Sequence, residues 1–430
     1  MGRSRQNGSI DRLVERQFSS LRTYNYRLYF IGQLVSLIGT WMQRTGQAWL
    51  VLKLTSSPLA LGTVTTLEFL PITLFTLFGG VFADRLPKRR ILIVTQSLAL
   101  VQAFTLGMLL FTGTVELWHV YVLAFFLGVV NAFDGPVRQA FVVELVGRDQ
   151  LTNAVALNST IFNTARIFGP AVSGVMIALV GISASFFANA ASYVGVIAAY
   201  LAMRPSELYP AELRQAAGNM FAQVAEGIRY SVRTPAVLFL FILLAVIGTF
   251  GYNFTVIVPL VAEFVLHVGA GKFGLLTSAM GIGSLVAALV IAGAPRLSTR
   301  VLLMATGAFV VLLPILAISP WFIVSAALLV LLGASGVAFS TTINTRLQLA
   351  VPDHLRGRVM SIFYLLFAGS TPVGGYLTGL MAEAIGVPAT LAVLSAICGA
   401  GLIAAVVYRA GHASAIEAGV PAPAVPAEVR

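Results

Sequence analysis

Charged residues are scarce in this chain of 430 residues, of which only 10% are charged and 58% are hydrophobic. A soluble globular protein carries roughly 25% charged residues. This composition therefore excludes a water-soluble globular protein. Apolar runs of about 20 residues recur along the whole chain, and that is the length a helix needs to cross a bilayer core of about 30 Å.

Cysteine and catalytic motifs are equally sparse. The lone Cys398 excludes an intramolecular disulfide bond and a zinc site built from several cysteines. The four histidines are scattered, with no His-Glu-x-x-His pair, and no Gly-x-Ser-x-Gly elbow occurs. Residues 269–272 begin like a phosphate loop, but Leu266 and Phe273 stand where that loop needs a glycine and a hydroxyl group. We therefore expect no enzyme activity, no metal and no cofactor.

Twelve apolar runs predict an all-α polytopic membrane protein. Helices fit runs of this length, whereas the strands of a membrane barrel are shorter. The longest polar connection separates six runs from six, which predicts two six-helix halves. The runs are 28–52, 59–82, 91–112, 118–137, 154–180 and 182–203, then 236–262, 272–293, 301–318, 320–344, 357–382 and 388–408.

The predicted domain organisation follows from these runs. In residues 204–235, Leu213, Met220, Val224 and Ile228 have near-helical spacing, which predicts an amphipathic helix on the membrane surface. The end of the chain is rich in Ala and Pro and is predicted to be disordered. The segments are a cytoplasmic N-terminal tail (1–27), the first half (28–203), a cytoplasmic linker (204–235), the second half (236–409) and a C-terminal tail (410–430).

Internal similarity supports two repeats. Residues 83–89 after the second run agree with residues 294–300 after the eighth at four of seven positions. Arg138 and Arg148 around the fourth run correspond to Arg346 and Arg356 around the tenth, at a constant offset of 208. The two halves are therefore predicted to share one architecture.

The basic residues define the predicted topology. The net charge of +11 can indicate nucleic-acid binding, so the positions of the 27 basic residues decide the matter. Twenty-three lie in the two tails and in alternate connections, whereas the other connections hold only Lys53 and Lys272. By the positive-inside rule, both termini are cytoplasmic in a multi-pass protein of the bacterial inner (plasma) membrane. No nucleic-acid partner is needed, and the basic loops are expected to attract membrane lipids.

A polar stripe follows one face of the first run. Such side chains are costly against lipid, so we expect them to line a water-filled substrate cavity. The alternative is hydrogen bonding between helices. The stripe consists of Gln33, Ser36, Thr40, Gln43 and Gln47, and Asn131, Asp134 and Asn344 on two other runs are predicted to extend the cavity lining.

Three charged residues, Arg44, Glu68 and Arg166, lie well inside apolar runs. Each costs about 2.5 to 3.5 kcal/mol at the bilayer centre, so pairing or a wet cavity is expected. One interpretation is a static bridge from Glu68 to Arg44 or Arg166. The other is that Glu68 is the coupling acid, which loads and releases a proton as such a pair is made and broken.

The loop after the second run carries the most specific motif. It closely resembles the signature loop of the major facilitator superfamily, with Pro87 where that pattern usually has glycine. The resemblance implies that Asp84, Arg85 and Arg138 are gating residues, whereas Lys88, Arg89 and Arg90 can be explained by topology alone. The motif reads Gly79-Gly80-Val81-Phe82-Ala83-Asp84-Arg85-Leu86-Pro87-Lys88-Arg89-Arg90.

The fifth run resembles the antiporter motif of the same superfamily at Gly169, Pro170 and Gly174. The alternative for these residues is kinked, close helix packing with no bearing on transport direction. Residues 39–43, 131–141 and 355–361 are similar to the branch that contains enterobactin exporters and related drug-efflux proteins.

This resemblance implies a monomeric secondary transporter that exports a small molecule, such as a siderophore or drug, in exchange for protons by alternating access. Two alternatives stay open. One is an importer or lipid transporter with the same fold, and the other is a non-transporting membrane scaffold or receptor. The three intramembrane charges count against a scaffold, which does not need them.

Overall fold

The computed structural model describes residues 18–209, 220–293 and 297–413, apart from the side chains of 77–85 and 220–224. These described residues form thirteen long helices and no strand. The helices are α1 (Tyr24–Thr55), α2 (Pro58–Arg85), α3 (Lys88–Phe111), α4 (Leu117–Val146), α5 (Leu151–Leu179), α6 (Ile182–Ala202), α7 (Met220–Arg233), α8 (Pro235–Val265), α9 (Ala270–Ala292), α10 (Thr299–Ile318), α11 (Phe322–Ala350), α12 (Asp353–Ile385) and α13 (Val387–Gly411).

Eleven helices of the described chain are long and apolar enough to cross a membrane. Helix α1 is not among them although it has 32 residues, because its glutamines and Arg44 lower its hydropathy. The remaining helix, α7, has only 14 residues and is amphipathic. The predicted all-α polytopic fold is confirmed, with α1 as the polar member of twelve spans.

The chain divides into two compact units. The first contains residues Met1–Gln215 and Val268–Gly281, and the second contains Ala216–His267 and Ile282–Arg430. Helix α9 is therefore shared, with its residues up to Gly281 belonging to the first unit. The segment boundaries given above stay predictions. Outside the described residues lie most of both predicted tails and most of the linker before Met220, including Leu213.

The first unit packs around large buried side chains of α1, α4 and α6. Phe141 and Tyr200 are fully buried and meet edge to face, with their ring centroids 6.2 Å apart. The hydroxyl group of Tyr26 donates to the carbonyl of Ala154 at 2.9 Å. On α4, a Cβ at Gly128 would lie 2.3 Å from the Glu68 carbonyl oxygen, so this glycine lets α4 approach α2 at the level of Glu68.

Two basic residues at the start of α3 hold neighbouring helices. Lys88 is 8% exposed, and its Nζ lies 2.7 Å from Glu144 Oε1 near the end of α4. Arg89 donates to the carbonyls of Tyr200 and Leu201 at the end of α6, at 2.6 and 3.0 Å. A cation there satisfies carbonyls that the helix leaves free. Both residues thus have packing roles in addition to any role in topology.

We expect Lys88→Met to destabilise the protein. The substitution leaves the partly buried Glu144 carboxylate without this ion-pair partner. Removing one partner of a buried pair lowers the free energy of unfolding by about 3 kcal/mol, or somewhat less at this exposure. The midpoint of thermal unfolding in detergent should fall. Arg90→Met is the matched control, because Arg90 is exposed and lies two residues away. Equal melting of the two variants would contradict a structural role for the pair.

The second unit contains an interrupted helix. Helix α8 has π-helical turns at Ile247–Gly251 and Val261–Val265, and such turns are frequent at functional sites. Its Tyr252 and Phe254 pack against Phe309 of α10, with centroids 6.4 and 6.0 Å away. Helix α7 begins within the predicted amphipathic segment and is tied to α12 by an ion pair between Glu226 and Arg358. Its placement on the membrane surface stays a prediction.

Candidate functional site

The intramembrane carboxylate of the first unit pairs with one arginine and one glutamine. Arg44 Nε lies 3.2 Å from Glu68 Oε1, and Gln47 Nε2 donates to Glu68 Oε2 at 3.4 Å. Glu68 is 5% exposed, whereas the side chain of Arg44 is 29% exposed. The buried carboxylate of Glu68 is thus paired with the partly exposed guanidinium group of Arg44. Of the two pairings the sequence left open, Glu68 with Arg44 is the one in this structure.

Trp41 connects the two arginines of this centre. The guanidinium carbon of Arg44 lies 5.5 Å from the Trp41 ring centroid, and that of Arg166 lies 6.0 Å from it. Arg44 also lies 5.6 Å from the ring of Phe69. Aromatic faces attract cations, most strongly where water is excluded. We define Trp41, Arg44, Gln47, Glu68 and Arg166 as the charged centre.

A second polar network joins three helices of the same unit. Arg138 Nε lies 3.5 Å from Asp134 Oδ2, and Arg138 donates to Gln33 Oε1 at 3.0 Å. Thr95 and Gln96 both donate to Asp134 Oδ1 at 2.8 Å. Asp134 is therefore satisfied by partners from α3 and α4. Such a network fixes the relative positions of α1, α3 and α4 around Arg138.

The glutamines of the predicted polar stripe are buried between helices. Gln33 donates to the Tyr200 hydroxyl at 2.8 Å, and Gln43 donates to Gln102 and accepts from Asn189 at 2.8 and 2.7 Å. In this structure Gln33, Gln43 and Gln47 are therefore interhelical hydrogen-bonding groups, which is the alternative stated above. Thr40, whose hydroxyl donates to the Ser36 carbonyl at 2.9 Å, and Asn131 are partly exposed. Cavity roles for these residues stay predictions.

The antiporter-like motif lies where α5 meets α1 and α9. A Cβ at Gly169 would lie 2.5 Å from Trp41 Cβ, and a Cβ at Gly174 would lie 2.8 Å from the Ala270 carbonyl oxygen. Conversely, a Cβ at Gly274 would lie 2.3 Å from the Pro170 carbonyl oxygen. Only glycine permits these approaches. The residues of the motif are thus brought to helix crossings, and their bearing on transport direction stays a prediction.

The second unit contains an open pocket of about 330 Å³ between α11 and α12. One wall carries hydroxyl and amide groups, and the other wall is aromatic. Asn344, a predicted cavity residue, lines it and accepts a hydrogen bond from Gln348. A pocket with these walls suits an amphipathic molecule with a flat ring. Its lining residues are Ser340, Thr341, Asn344, Thr345, Gln348, Phe363, Tyr364 and Phe367.

The two repeats treat equivalent arginines differently. Arg138 has a carboxylate partner one turn earlier, at Asp134. At the same offset of 208, the second unit has Arg346 with Thr342 in place of the acid. Thr342 Oγ1 and Arg346 Nε are buried without a hydrogen-bond partner among the described residues. The halves have therefore diverged in charge at this position.

Two predicted gating residues, Asp84 and Arg85, have side chains outside the described residues. Sequence reasoning also missed several features. Trp41 lies in the segment 39–43 that carries the family resemblance, but nothing in the sequence indicated its contact with two arginines, because an aromatic residue in an apolar run usually only packs. The aromatic wall of the pocket gave no signal for the same reason. The interruption of α8 did have a signal in the sequence, namely Gly248, Gly251 and Asn253.

Comparisons with known proteins identify the family. The family model described as transmembrane secretion effector matches residues 15–428. The staphyloferrin A transporter of Staphylococcus aureus is 26% identical, and the match covers 86% of this chain and 94% of that protein. The multidrug efflux pump Tap of Mycolicibacterium fortuitum is 27% identical, with 81% of this chain and 86% of that protein covered.

A solved structure supports the fold assignment. The crystal structure of the nucleoside transporter NupG superposes with a TM-score of 0.73 at 12% identity, over 89% of this chain and 98% of that chain. At this identity the likeness shows the fold alone. Together with the family match over nearly the whole chain, it leads to one conclusion. The chain belongs to the transmembrane secretion effector family of the major facilitator superfamily, and is a multi-pass membrane transporter of small molecules rather than an enzyme.

Proposed function

We propose that this transporter exports an amphipathic small molecule, such as a siderophore or drug, from the bacterial cytoplasm in exchange for protons. The observation that carries the proposal is the buried Glu68, paired with Arg44 and Gln47 inside the membrane-spanning part of the first unit. Relatives named as a staphyloferrin A transporter and a multidrug efflux pump support export. The antiporter-like Gly169, Pro170 and Gly174 support exchange.

The charged centre supplies a chemical route for coupling. A deprotonated Glu68 is held by Arg44 and by the Gln47 amide, whereas a protonated Glu68 loses the charge that holds Arg44. Proton arrival therefore releases Arg44, and proton departure draws it back. A conformational change that favours one of these arrangements at each membrane face would couple proton flow to substrate movement. Arg166 is the second cation within reach of this exchange through Trp41.

The pocket between α11 and α12 is the proposed substrate-contacting surface of the second unit. Its hydroxyl and amide groups, including Asn344, provide hydrogen bonds, and Phe363 and Phe367 provide stacking surfaces. Asp84, Arg85 and Arg138 are the proposed gating residues. The protein works as a monomer in the inner membrane, with both termini cytoplasmic and its basic loops in contact with anionic lipid head groups.

The proposal is tested with purified protein in liposomes that carry an imposed pH gradient. Siderophores, drugs and dyes are screened for movement driven by that gradient. We expect at least one amphipathic compound to accumulate against its own gradient, on the side from which protons leave. Movement of such a compound with the protons would instead identify an importer.

The topology has its own test. Single cysteines at Ser19, at residue 214 and at Ala413, in a Cys398→Ala background, should react with impermeant maleimides only in inverted vesicles. The physical reason is the excess of Lys and Arg on that side. Ser57, in a connection predicted to face outward, is the control and should react in intact cells. Labelling of residue 214 from outside the cell would contradict the predicted orientation.

A further inference from the structure

The guanidinium group of Arg166 has no neutralising partner in the described chain. Its Nε is buried without a hydrogen-bond partner among those residues. Its guanidinium carbon lies 6.0 Å from the centroid of the Trp41 ring. A cation–π contact at this distance does not replace a hydrogen-bonded carboxylate. A charged donor is therefore available beside Trp41.

The one acid of the charged centre is already engaged. Glu68 accepts from Arg44 Nε through Oε1, at 3.2 Å, and from Gln47 through Oε2, at 3.4 Å. The charged centre thus holds two guanidinium groups and one carboxylate. One positive charge is left in excess, and it lies on α5 within a membrane-spanning helix.

An uncompensated charge at this depth needs a reason. Ionisable residues inside membrane-spanning helices face a partner, a wet cavity or a ligand, because lipid solvates them poorly. The first unit shows what a satisfied arginine looks like, since Arg138 has both Asp134 and Gln33. Arg166 has the same fork of donors, and its buried Nε has no such acceptor among the described residues. A guanidinium fork matches the two oxygens of a carboxylate or phosphate.

We infer that Arg166 binds an anionic oxygen group, a carboxylate or phosphate, of the transported substrate. The inference rests on the proposed transport function and narrows its substrate class to molecules with at least one negative charge. The Trp41 ring beside Arg166 offers an apolar surface to the rest of such a molecule. Glu68 is paired with Arg44 in this structure, so its carboxylate does not occupy Arg166.

The test uses iodide, an anion that quenches tryptophan fluorescence on contact. In a variant with Trp49, Trp118 and Trp321 replaced by Phe, the signal comes from Trp41 alone. We expect iodide to quench Trp41 more strongly than caesium does. Arg166→Gln should lower quenching by iodide at least about twofold, because the local concentration of anions falls when the positive charge is removed. Quenching by neutral acrylamide should not change. Arg166→Lys, which keeps the charge, should retain the iodide preference.

Arg90→Gln is the control, because it removes an exposed charge of the same kind from the first turn of α3. Equal iodide quenching with and without the Arg166 charge would overturn the inference. If Arg166→Gln does not yield folded protein, the inference is tested instead by competition between acetate and iodide in the protein that retains Arg166. Acetate should protect Trp41 from iodide while acetamide should not, and equal protection by both would overturn the inference.

Two further arms identify the source of the anion. In nanodiscs of phosphatidylcholine the iodide preference should persist when phosphatidylglycerol is added, and its loss would assign the site to a lipid head group instead. In transport-competent liposomes, an aromatic carboxylate such as 1-naphthoate should inhibit transport more than 1-naphthamide does. Because the quenching arm requires no transport, absence of transport would count against the proposed function and leave the anion site standing.

Discussion

The variant Glu68→Gln should abolish accumulation driven by the pH gradient while keeping downhill exchange of substrate. The amide preserves the size of the side chain and its ability to accept a hydrogen bond from Arg44, but it cannot bind and release a proton. Uphill transport in liposomes should therefore fall to the level of protein-free liposomes. Downhill exchange needs only the conformational change, so its rate should stay close to that of the unmodified protein.

Glu383→Gln is the matched control for this prediction. Glu383 is also a carboxylate on a membrane helix, but it is exposed and lies near the helix end, so its neutralisation should change neither activity. A static bridge makes a different prediction for Glu68→Gln, because it leaves Arg44 without a counter-charge inside the membrane. Folding or both activities would then be lost together. Uphill transport at the original rate would eliminate Glu68 as the coupling acid.

The second large effect is expected from Gly274→Ala. The new Cβ would lie 2.3 Å from the Pro170 carbonyl oxygen, which is a backbone atom and cannot rotate away. Overpacking of this kind costs about 1–3 kcal/mol. A conformation in which α5 and α9 touch at Pro170 should lose population by roughly 5- to 150-fold relative to one in which they separate. Turnover should fall, because alternating access must pass through both.

Spin labels can measure this shift directly. Labels at Val180 and Gly269, which are exposed or have open space around them, would report the distance between the ends of α5 and α9 in a Cys398→Ala background. We expect longer distances to gain population in Gly274→Ala. Gly195→Ala is the control, since a Cβ at that helical glycine meets nothing within 4 Å. An unchanged distribution with normal turnover would show that the crossing does not limit transport.

The spans were predictable because their cause is local. A run of about 20 apolar residues has one stable arrangement in a bilayer, and the basic loops between runs point to one orientation. Helix α1 shows the limit of this logic. Its polar stripe was visible at Gln33 and Gln43, but the stripe alone does not say whether water or Tyr200 and Asn189 satisfy those amides. That depends on which helices become neighbours.

The charged centre was predictable in content and not in geometry. Glu68, Arg44 and Arg166 were conspicuous because charges are costly in lipid. Which arginine takes the carboxylate depends on how the helices that carry these residues pack. Gly128 lets α4 approach α2 at Glu68, and Gly169 lets α5 approach α1 at Trp41. The contact of Trp41 with both arginines was not predictable, for the opposite reason. An apolar aromatic residue in an apolar run carries no signal until its neighbours are known.

The central claim is that substrate leaves in exchange for protons handled by Glu68. It is tested most directly in liposomes that contain the protein and an enclosed pH-sensitive dye such as pyranine, without an initial pH gradient. Adding a transported substrate on one side should drive protons toward that side, and Glu68→Gln should remove this proton movement while substrate still exchanges. Substrate movement without any proton movement, or proton movement that persists in Glu68→Gln, would contradict the account.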